Sequence, residues 1–464
     1  MIETDTLEKV LGAALRTGGD FAEVFAEDRR SSAAVLEDGR VEDVSSGRDR
    51  GAGIRVVVGD TTGFAHTSDL SEAGLTRAAE AAAAAARGGG GGVRTVGLRH
   101  QPPPPARFEI APEDVPKARK VEMLVRADEV ARSSGAAIRQ VSAAYGDSRR
   151  RILVANSDGL RAEDDQVRTR FMVQCVAAGD TGMQTGYDIG ARTRGFEMFQ
   201  SDIDVDEVAR EAARIALAKL TARPAPSGVV PIVVRRGSGG MLFHEACGHG
   251  LEADHIVKDT SVYRGRVGQK VASPLVTLVD DGTYGGGAWG TFAVDDEGNE
   301  AKRNVLIEDG VLTDYMWDWL QSRKEGRRTS GNGRRQSYEH LPMVRMTNTF
   351  LLDGADDPDE IVRQTPHGVY VAKLGGGQVN TATGDFVFGM TEAYLIEDGH
   401  VTEPLRDANL IGNGPDVLMK IDAVANDFEM SQGTCGKNGQ SVPVGCGQPT
   451  LRVTGVTVGG TAGA

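Results

Sequence analysis

Glycine is the residue that most restricts the fold of this chain. It accounts for 61 of the 464 residues, about 13%, whereas about 7% is usual in globular proteins. Glycine destabilises helix interiors by about 1 kcal/mol relative to alanine and is favoured in turns that need a positive φ. The sequence therefore argues against a long helical bundle and favours a protein rich in strands and turns.

One turn sequence occurs three times after an apolar residue. It reads Leu-Glu-Asp-Gly at 36–39 and Ile-Glu-Asp-Gly at 307–310 and 396–399. We expect an antiparallel hairpin at each place, in which the aspartate starts the turn and the glycine adopts a positive φ. The phrase is interpreted as local turn chemistry and not as an internal repeat. Another turn is predicted at Gly146–Ser148, between two strands.

Four amphipathic helices are predicted from the spacing of apolar residues. They cover Thr6–Thr17, Ser71–Arg87, Pro116–Ser133 and Asp204–Thr221. The run Gly88–Gly92 is expected to form a linker, and the Pro-Ala-Pro-Ser-Gly segment at 224–228 to end the first half of the chain. The second half shows mostly strand-like patterns. We therefore predict an α+β protein with an α/β N-terminal domain at 1–222 and a β-rich C-terminal domain at 229–464.

The charged residues restrict the partners of the chain. Lys and Arg number 52 and Asp and Glu 66, so the formal net charge is −14, which argues against a nucleic-acid groove or an anionic membrane surface. No segment approaches the roughly 20 apolar residues of a membrane span, and the N-terminal residues lack a signal-peptide pattern. We expect a cytoplasmic protein. Its four cysteines are too few for a disulfide scaffold, so a functional cysteine would be a ligand or a nucleophile.

The segment His244-Glu245-Ala246-Cys247-Gly248-His249 carries the strongest chemical signal. Two imidazoles that hold a metal, with a glutamate that takes a proton from the attacking water, are the parts of a zinc hydrolase. The histidines are five positions apart, which places them roughly 140° apart around a regular α-helix. One π-type turn would return them to one face, and Gly248 would permit it. The simpler alternative is two polar histidines at a helix end.

The spacing does not determine a third protein ligand. An acidic residue, Cys435 in a glycine-rich segment, and Cys446 are candidates. The other candidates are the remaining histidines: His66, His100, His255, His340, His367 and His400. The two cysteines could instead form a disulfide or remain buried thiols. Cys247 is expected to be a packing residue. Glu252 and Asp254 could orient an imidazole N–H, but we favour the interpretation that they are charges at a helix end.

Several longer segments of the chain resemble the TldD/PmbA family of metallopeptidases, and its metal-bearing TldD branch in particular. The resemblance spans nearly the whole sequence. It is carried by Gly51–Val57 with Thr62–Ala65, Phe243–Asp254, Pro342–Thr349, Gly376–Asn380 with Gly384–Phe386, and Cys435–Lys437 with Gly439–Gly445. The chain departs from the family at Cys446, where an aliphatic residue is usual.

The resemblance implies a zinc site formed by His244, His249 and Cys435, with Glu245 as the general base. It also implies hydrolysis of amide bonds in unstructured or small peptides. His340 is a further candidate, which would stabilise the oxyanion; a surface or packing role is the alternative. Two other functions stay open: a small-molecule amide hydrolase of the N-deacylase type, and a non-catalytic regulatory partner subunit.

The resemblance also implies a fold and an assembly. Family members combine an α/β N-terminal half with a β-rich, pseudo-barrel-like C-terminal half. They assemble as dimers around an enclosed cavity, and the N-terminal domain would form the wall of that cavity and of the dimer. We therefore expect a heterodimer with a TldE/PmbA-like subunit or a homodimer, with neither nucleic acid nor a membrane as partner.

Overall fold

The computed structural model describes residues 1–86 and 96–460, so the predicted linker at Gly88–Gly92 lies outside the described residues. Its α-helices are α1 (Thr4–Leu15), α2 (Glu72–Ala85), α3 (Lys117–Ser133), α4 (Met198–Ser201), α5 (Val205–Ala218), α6 (Gly240–Phe243), α7 (Ala253–Val257), α8 (Trp319–Lys324), α9 (Pro358–Arg363) and α10 (Gly414–Met419). None of these described helices is long and apolar enough to cross a membrane.

The four predicted helices are confirmed as α1, α2, α3 and α5, with ends that differ by at most three residues. Two predicted first residues, Ser71 and Asp204, are N-caps with extended backbone conformation. Their side chains accept hydrogen bonds from the N–H groups of Gly74 and Asp206. A cap residue lies just outside the helix whose free N–H groups it satisfies, which explains the one-residue shift at both starts.

The strands of the first half form a seven-stranded sheet with the order β3-β2-β1-β5-β6-β4, in which β7 also pairs with β6. They are β1 (Phe21–Glu37), β2 (Arg40–Val58), β3 (Thr61–Thr67), β4 (Arg99–His100), β5 (Ile138–Asn156), β6 (Leu160–Gly179) and β7 (Gly182–Arg192). Helices α1 and α2 pack on one end of the long strands, and α3 and α5 pack near the other end. The alternate residues of β1, such as

One prediction about this sheet is wrong, because β5 passes through Gly146–Ser148 without a turn. Gly146 pairs with Ala33 of β1 on one side and with Arg170 of β6 on the other. Continuous ladders on both sides hold the segment extended. The small residues that suggested a turn are therefore part of the middle of a sheet.

The second half is rich in strands, and five of them form a closed barrel. The strands are β8 (Arg223–Pro224), β9 (Gly228–Val234), β10 (Leu278–Asp281), β11 (Arg303–Glu308), β12 (Val311–Leu312), β13 (Gly333–Arg334), β14 (Met343–Val344), β15 (Asn348–Leu351), β16 (His367–Val379), β17 (Asp385–Glu397), β18 (His400–Arg406), β19 (Asn409–Asn413), β20 (Ile421–Val424), β21 (Glu429–Lys437), β22 (Gln440–Gln448) and β23 (Leu451–Gly459). The order β16-β9-β23-β19-β17 closes through the pairing of β16 with β17.

A second, six-stranded sheet lies beside the barrel, with the order β12-β11-β10-β15-β22-β21. The large core of the C-terminal half joins this sheet to the barrel. The observed architecture confirms the predicted α+β fold and the barrel-like C-terminal half. The division of the chain at 222 and 229 stays a prediction.

The three Asp-Gly turns are confirmed as two-residue hairpin connections, but the role predicted for aspartate is wrong. Asp38, Asp309 and Asp398 have φ values of 49°, 47° and 50°, so each occupies the first central position, and the following glycine also has a positive φ. Turns with two positive φ values match the twist of the paired strands, and aspartate tolerates them better than most residues do. Asn438-Gly439 connects β21 to β22 in the same way.

Candidate metal centre

The segment His244–Gly248 forms a π-helical turn directly after α6. The N–H of His249 donates to the carbonyl oxygen of His244, which is the i→i+5 hydrogen bond that the spacing of the two histidines predicted. The centroids of the two imidazole rings lie 4.9 Å apart. The predicted return of both histidines to one face is confirmed.

Tight packing around the π-turn depends on glycine. A Cβ atom on Gly248 would lie 2.2 Å from Sδ of Met346, and one on Gly414, at the start of α10, would lie 1.9 Å from the carbonyl oxygen of Ala246. Real Cβ contacts are not this short, so a larger residue at either position would displace its neighbour. Gly248 thus fits the role expected of it at the distorted turn.

Cys435 of β21 brings a third donor to the two histidines. Its Sγ lies 3.6 Å from Nε2 of His249, and donor atoms of His244, His249 and Cys435 all lie within 4.8 Å of one another. The three residues are buried. Two imidazole nitrogens and a thiolate are zinc ligands, and three protein ligands are usual at a catalytic zinc site. The donor set therefore fits zinc.

The protonation of these groups also fits a metal site. Burial would lower the pKa of both imidazoles, but Cys435 holds the pKa of His244 well above its ordinary value, and Glu252 together with Cys435 raises that of His249 to about 9. Burial would raise the pKa of the Cys435 thiol, but the two imidazoles hold it well below its ordinary value. The site thus favours the thiolate, which is the form of cysteine that binds metals. Nδ1 of His244 is buried and has no hydrogen-bond partner among the described residues.

Glu245 follows His244 on the π-turn and is partly exposed. Burial raises the pKa of its carboxyl group, and the neighbouring imidazoles of His244 and His249 oppose that shift. A carboxyl group with a raised pKa exchanges protons more readily near neutral pH, as a general base and acid must. The position and the pKa of Glu245 are consistent with its predicted role.

Glu252 and Lys437 continue the site behind His249. Oε2 of Glu252 lies 2.9 Å from Nδ1 of His249, and Nζ of Lys437 donates to Glu252 at 2.9 Å and to Asp254 at 2.7 Å. All four residues are buried. The interpretation of Glu252 and Asp254 as helix-end charges is therefore wrong, because one carboxylate contacts an imidazole and both pair with a buried ammonium group.

Sequence analysis missed Lys437, although a signal was present. Cys435 and Lys437 are two positions apart on one strand, so their side chains extend from the same face of β21. Arg345 was missed as well. It is fully buried, and its guanidinium donates to the carbonyl oxygens of Cys435 on β21 and Gln440 on β22. Both strands that carry the thiol are thus fixed by one side chain.

The remaining cysteines lie outside the group of three donors. Cys435 pairs with Val442 across the hairpin, whereas Cys446 pairs with Ser431, four residues away. Both cysteines are free thiols, so the alternative of a disulfide between them is wrong. Cys247 is buried, and its thiol donates to the carbonyl oxygen of Phe243 at 3.2 Å, which confirms the packing role expected of it.

The structure does not bring His340 into the group of donors. Nδ1 of His340 shares a hydrogen bond of 2.8 Å with the hydroxyl group of Ser337, so its predicted contact with an oxyanion stays a prediction. His255 lies near Glu252 and Asp254, where the ammonium group of Lys437 already pairs with both carboxylates. Four further histidines are exposed: His66, His100, His367 and His400.

Three domain profiles of one family match the chain in order. The profile described as PmbA/TldA metallopeptidase domain 1 matches residues 22–86, the central domain matches 110–220, and the C-terminal domain matches 227–460. The π-turn and Cys435 both lie within the C-terminal match. The matches together cover most of the chain.

Proteins with similar sequences are named as metalloproteases. A Haemophilus influenzae protein named metalloprotease TldD homolog is 39% identical over 469 aligned residues, which cover 99% of this chain and 97% of that protein. A Saccharolobus solfataricus protein named zinc metalloprotease TldD homolog is 31% identical over 257 residues, which cover 55% of this chain and 57% of that protein.

Solved structures share the fold at lower sequence identity. A Thermotoga maritima protein described as a putative modulator of a DNA gyrase superposes with a TM-score of 0.81 at 21% identity, over 98% of this chain and 99% of that one. TldE from Thermococcus kodakarensis superposes with a TM-score of 0.78 at 22% identity, over 98% of this chain and 99% of that one.

Proposed function

Because the chain belongs to the PmbA/TldD family of metallopeptidases, we propose that it is a zinc-dependent peptidase that hydrolyses amide bonds in unstructured or small peptides. His244, His249 and Cys435 hold the zinc, and Glu245 is the general base. The convergence of the three donor atoms within 4.8 Å carries this proposal. The name of the Saccharolobus solfataricus relative supports zinc as the metal.

Each residue of the site has a chemical task in this proposal. Zinc at such a site acts as a Lewis acid that polarises a carbonyl group and makes water more acidic. Glu245 accepts the proton of the attacking water and passes it to the leaving amine. Nδ1–H of His249 donates to Glu252, which leaves Nε2, the nitrogen near Cys435, as the ligand atom. Lys437 keeps Glu252 ionised for that contact.

The other two functions are less well supported. A small-molecule amide hydrolase would use the same catalytic residues, but the relatives are named as metalloproteases. A non-catalytic partner subunit has no need for a complete set of buried donors beside a glutamate. The fold is shared with TldE, which supports a heterodimer with a TldE/PmbA-like subunit; a homodimer is the alternative. We place the protein in the cytoplasm.

The test compares matched variants in two measurements, zinc content and peptide cleavage. Glu245→Gln is expected to retain zinc and to lose cleavage of an unstructured peptide, whereas Cys435→Ser is expected to lose both. Cys446→Val removes the other thiol of the same hairpin and is expected to retain both. Native protein without zinc would contradict the proposal, as would Glu245→Gln protein that still cleaves the peptide.

A further inference from the structure

A cavity of about 610 Å³ lies between the N-terminal sheet and the hairpin that carries Cys435. One wall is a face of strands β1, β2, β5 and β6. The opposite wall includes Thr434 and Pro443, which pair across the hairpin β21–β22, and Ser441. Because side chains alternate along a strand, Thr434 faces away from the side of Cys435. One layer of backbone thus separates the cavity from the candidate metal centre.

The wall formed by the N-terminal sheet consists of small residues. Ser31 of β1 pairs with Gly47 of β2 on one side and with Ser148 of β5 on the other, and all three line the cavity. Gly146, two residues before Ser148, lines it too. These short side chains leave room above the sheet. The segment that resembles a turn in the sequence therefore forms part of a binding surface in the structure.

Arginine dominates the rest of the lining. Six arginines line the cavity, against the two carboxylates of Asp147 and Asp296: Arg29, Arg150, Arg168, Arg170, Arg334 and Arg335. Both carboxylates are already paired, Asp147 with Lys120 at 2.7 Å and Asp296 with Arg150 at 2.8 Å. The chain as a whole has a net charge of −14, so this local excess of positive charge runs against its composition.

Three of the six arginines have no carboxylate within ion-pair distance in the described chain. Arg168 is only 7% exposed, and it donates to the side-chain oxygen of Gln166 and to the carbonyl oxygens of Trp289 and Thr291, all neutral groups. Arg334, also buried, donates to the carbonyl oxygens of Met346 and Pro443. Buried charges in proteins are normally paired, so these two cations lack an anion.

The state of the two guanidinium groups supports the same conclusion. Burial, together with the charges of Arg334 and Arg150, lowers the pKa of Arg168 to about 9, and burial lowers that of Arg334 to about 10. An anion in the cavity would oppose both shifts. Arg170 lies exposed on β6 beside Arg168 and faces the same space.

We propose that this cavity binds carboxylate groups of the peptide substrate, so that the protein prefers peptides with an acidic segment. Arginine forks bind carboxylates through paired hydrogen bonds, and the hydroxyl groups of Ser31, Ser148, Thr434 and Ser441 supply further donors. A space of about 610 Å³ is in the range of sites for multi-atom ligands and exceeds what a single small anion needs. The inference depends on the proposed peptidase function for its substrate.

The test measures peptide binding by calorimetry with full-length Glu245→Gln protein, which should not cleave its ligand. Three short peptides of equal length are compared: one with glutamate side chains and an amidated C-terminus, one with glutamine and a free C-terminal carboxylate, and one with glutamine and an amidated C-terminus. We expect either carboxylate peptide, or both, to bind at least tenfold more tightly than the third. The two arms distinguish side-chain from terminal carboxylates.

Variants assign the binding to the cavity. Arg170→Gln, at an exposed position, and Arg168→Gln are each expected to weaken binding of the acidic peptide roughly tenfold. Arg40→Gln, an exposed arginine on the same sheet outside the cavity, is the control and should leave the affinity unchanged. Equal binding of all three peptides would overturn the inference, as would unchanged affinity in Arg170→Gln or inorganic phosphate that binds as tightly as the peptide. Because turnover plays no part, this result is independent of the zinc and cleavage measurements.

Discussion

Replacement of Lys437 by methionine tests whether the ion pairs behind His249 hold the site together. Methionine keeps most of the volume of the lysine side chain and removes its charge. Nζ of Lys437 makes hydrogen bonds of 2.9 Å to Glu252, 2.7 Å to Asp254 and 3.1 Å to the carbonyl oxygen of Val344. The side chains of Lys437, Glu252 and Asp254 are 6%, 0% and 10% exposed. The variant therefore leaves two buried carboxylates without a counter-ion.

The expected loss follows from that burial. Removal of one partner of a buried ion pair costs about 3–5 kcal/mol, because the remaining charge is uncompensated. An exposed pair offers the control: Lys420 and Asp416, four residues apart, are 40% and 57% exposed, and such pairs contribute about 0.3–0.5 kcal/mol. Lys437→Met should thus lower the free energy of unfolding several-fold more than Lys420→Met does.

The assay is urea unfolding of metal-free protein, followed by tryptophan fluorescence. The three tryptophans lie at positions 289, 317 and 319, so the signal reports the half of the chain that contains the site. The deficit of Lys437→Met should shrink as the pH falls towards about 4, because the stranded carboxyl groups then take up protons. Addition of Glu252→Gln and Asp254→Asn should recover part of the loss. A loss below about 1 kcal/mol for Lys437→Met, equal to that of the control, would refute the assignment of a buried ionic network.

Three further changes test other parts of the structure. Glu252→Gln should weaken zinc binding by roughly 10–100-fold in competition with a chelator, and unchanged affinity would show that Glu252 does not orient His249. Gly414→Ala should destabilise the π-turn and reduce zinc content, since its Cβ would meet the carbonyl oxygen of Ala246, whereas Gly436→Ala, which has open space, should not. Burial and the neighbouring Glu297 raise the pKa of Asp318 to about 8; the folded state then holds a proton that the unfolded state releases, so stability should fall between about pH 4 and pH 8. Asp318→Asn should remove that part of the slope in urea titrations at several pH values, and an unchanged slope would contradict it.

Local chemistry made much of the fold predictable. The apolar spacing of α1, α2, α3 and α5 depends on residues within a few turns, and the Asp-Gly turns depend on two adjacent residues. The π-turn was also predictable, because two histidines five positions apart can share a face only if the helix is distorted. Where a local signal competed with strand pairing, as at Gly146–Ser148, the pairing prevailed and the predicted turn was wrong.

The candidate site was predictable only in part. His244, Glu245 and His249 are contiguous enough for their chemistry to be recognised together, whereas Cys435 was one of several candidate ligands until the family resemblance favoured it. Lys437 was missed because a lysine on a strand is usually exposed, and only tertiary packing places it against Glu252. The arginine-lined cavity could not be predicted, since its residues come from six separate strands and several loops.

The sequence by itself determined the short-range features of this protein: the helices, the hairpin turns, and the distortion that aligns His244 with His249. Only the tertiary structure decided which thiol joins them, because Cys435 is 186 positions from His249 and reaches it through the register of β21, β22 and β15. The same is true of the small residues that align across β1, β2 and β5. Contacts between distant segments depend on the packing free energy of the whole fold, which no local pattern records.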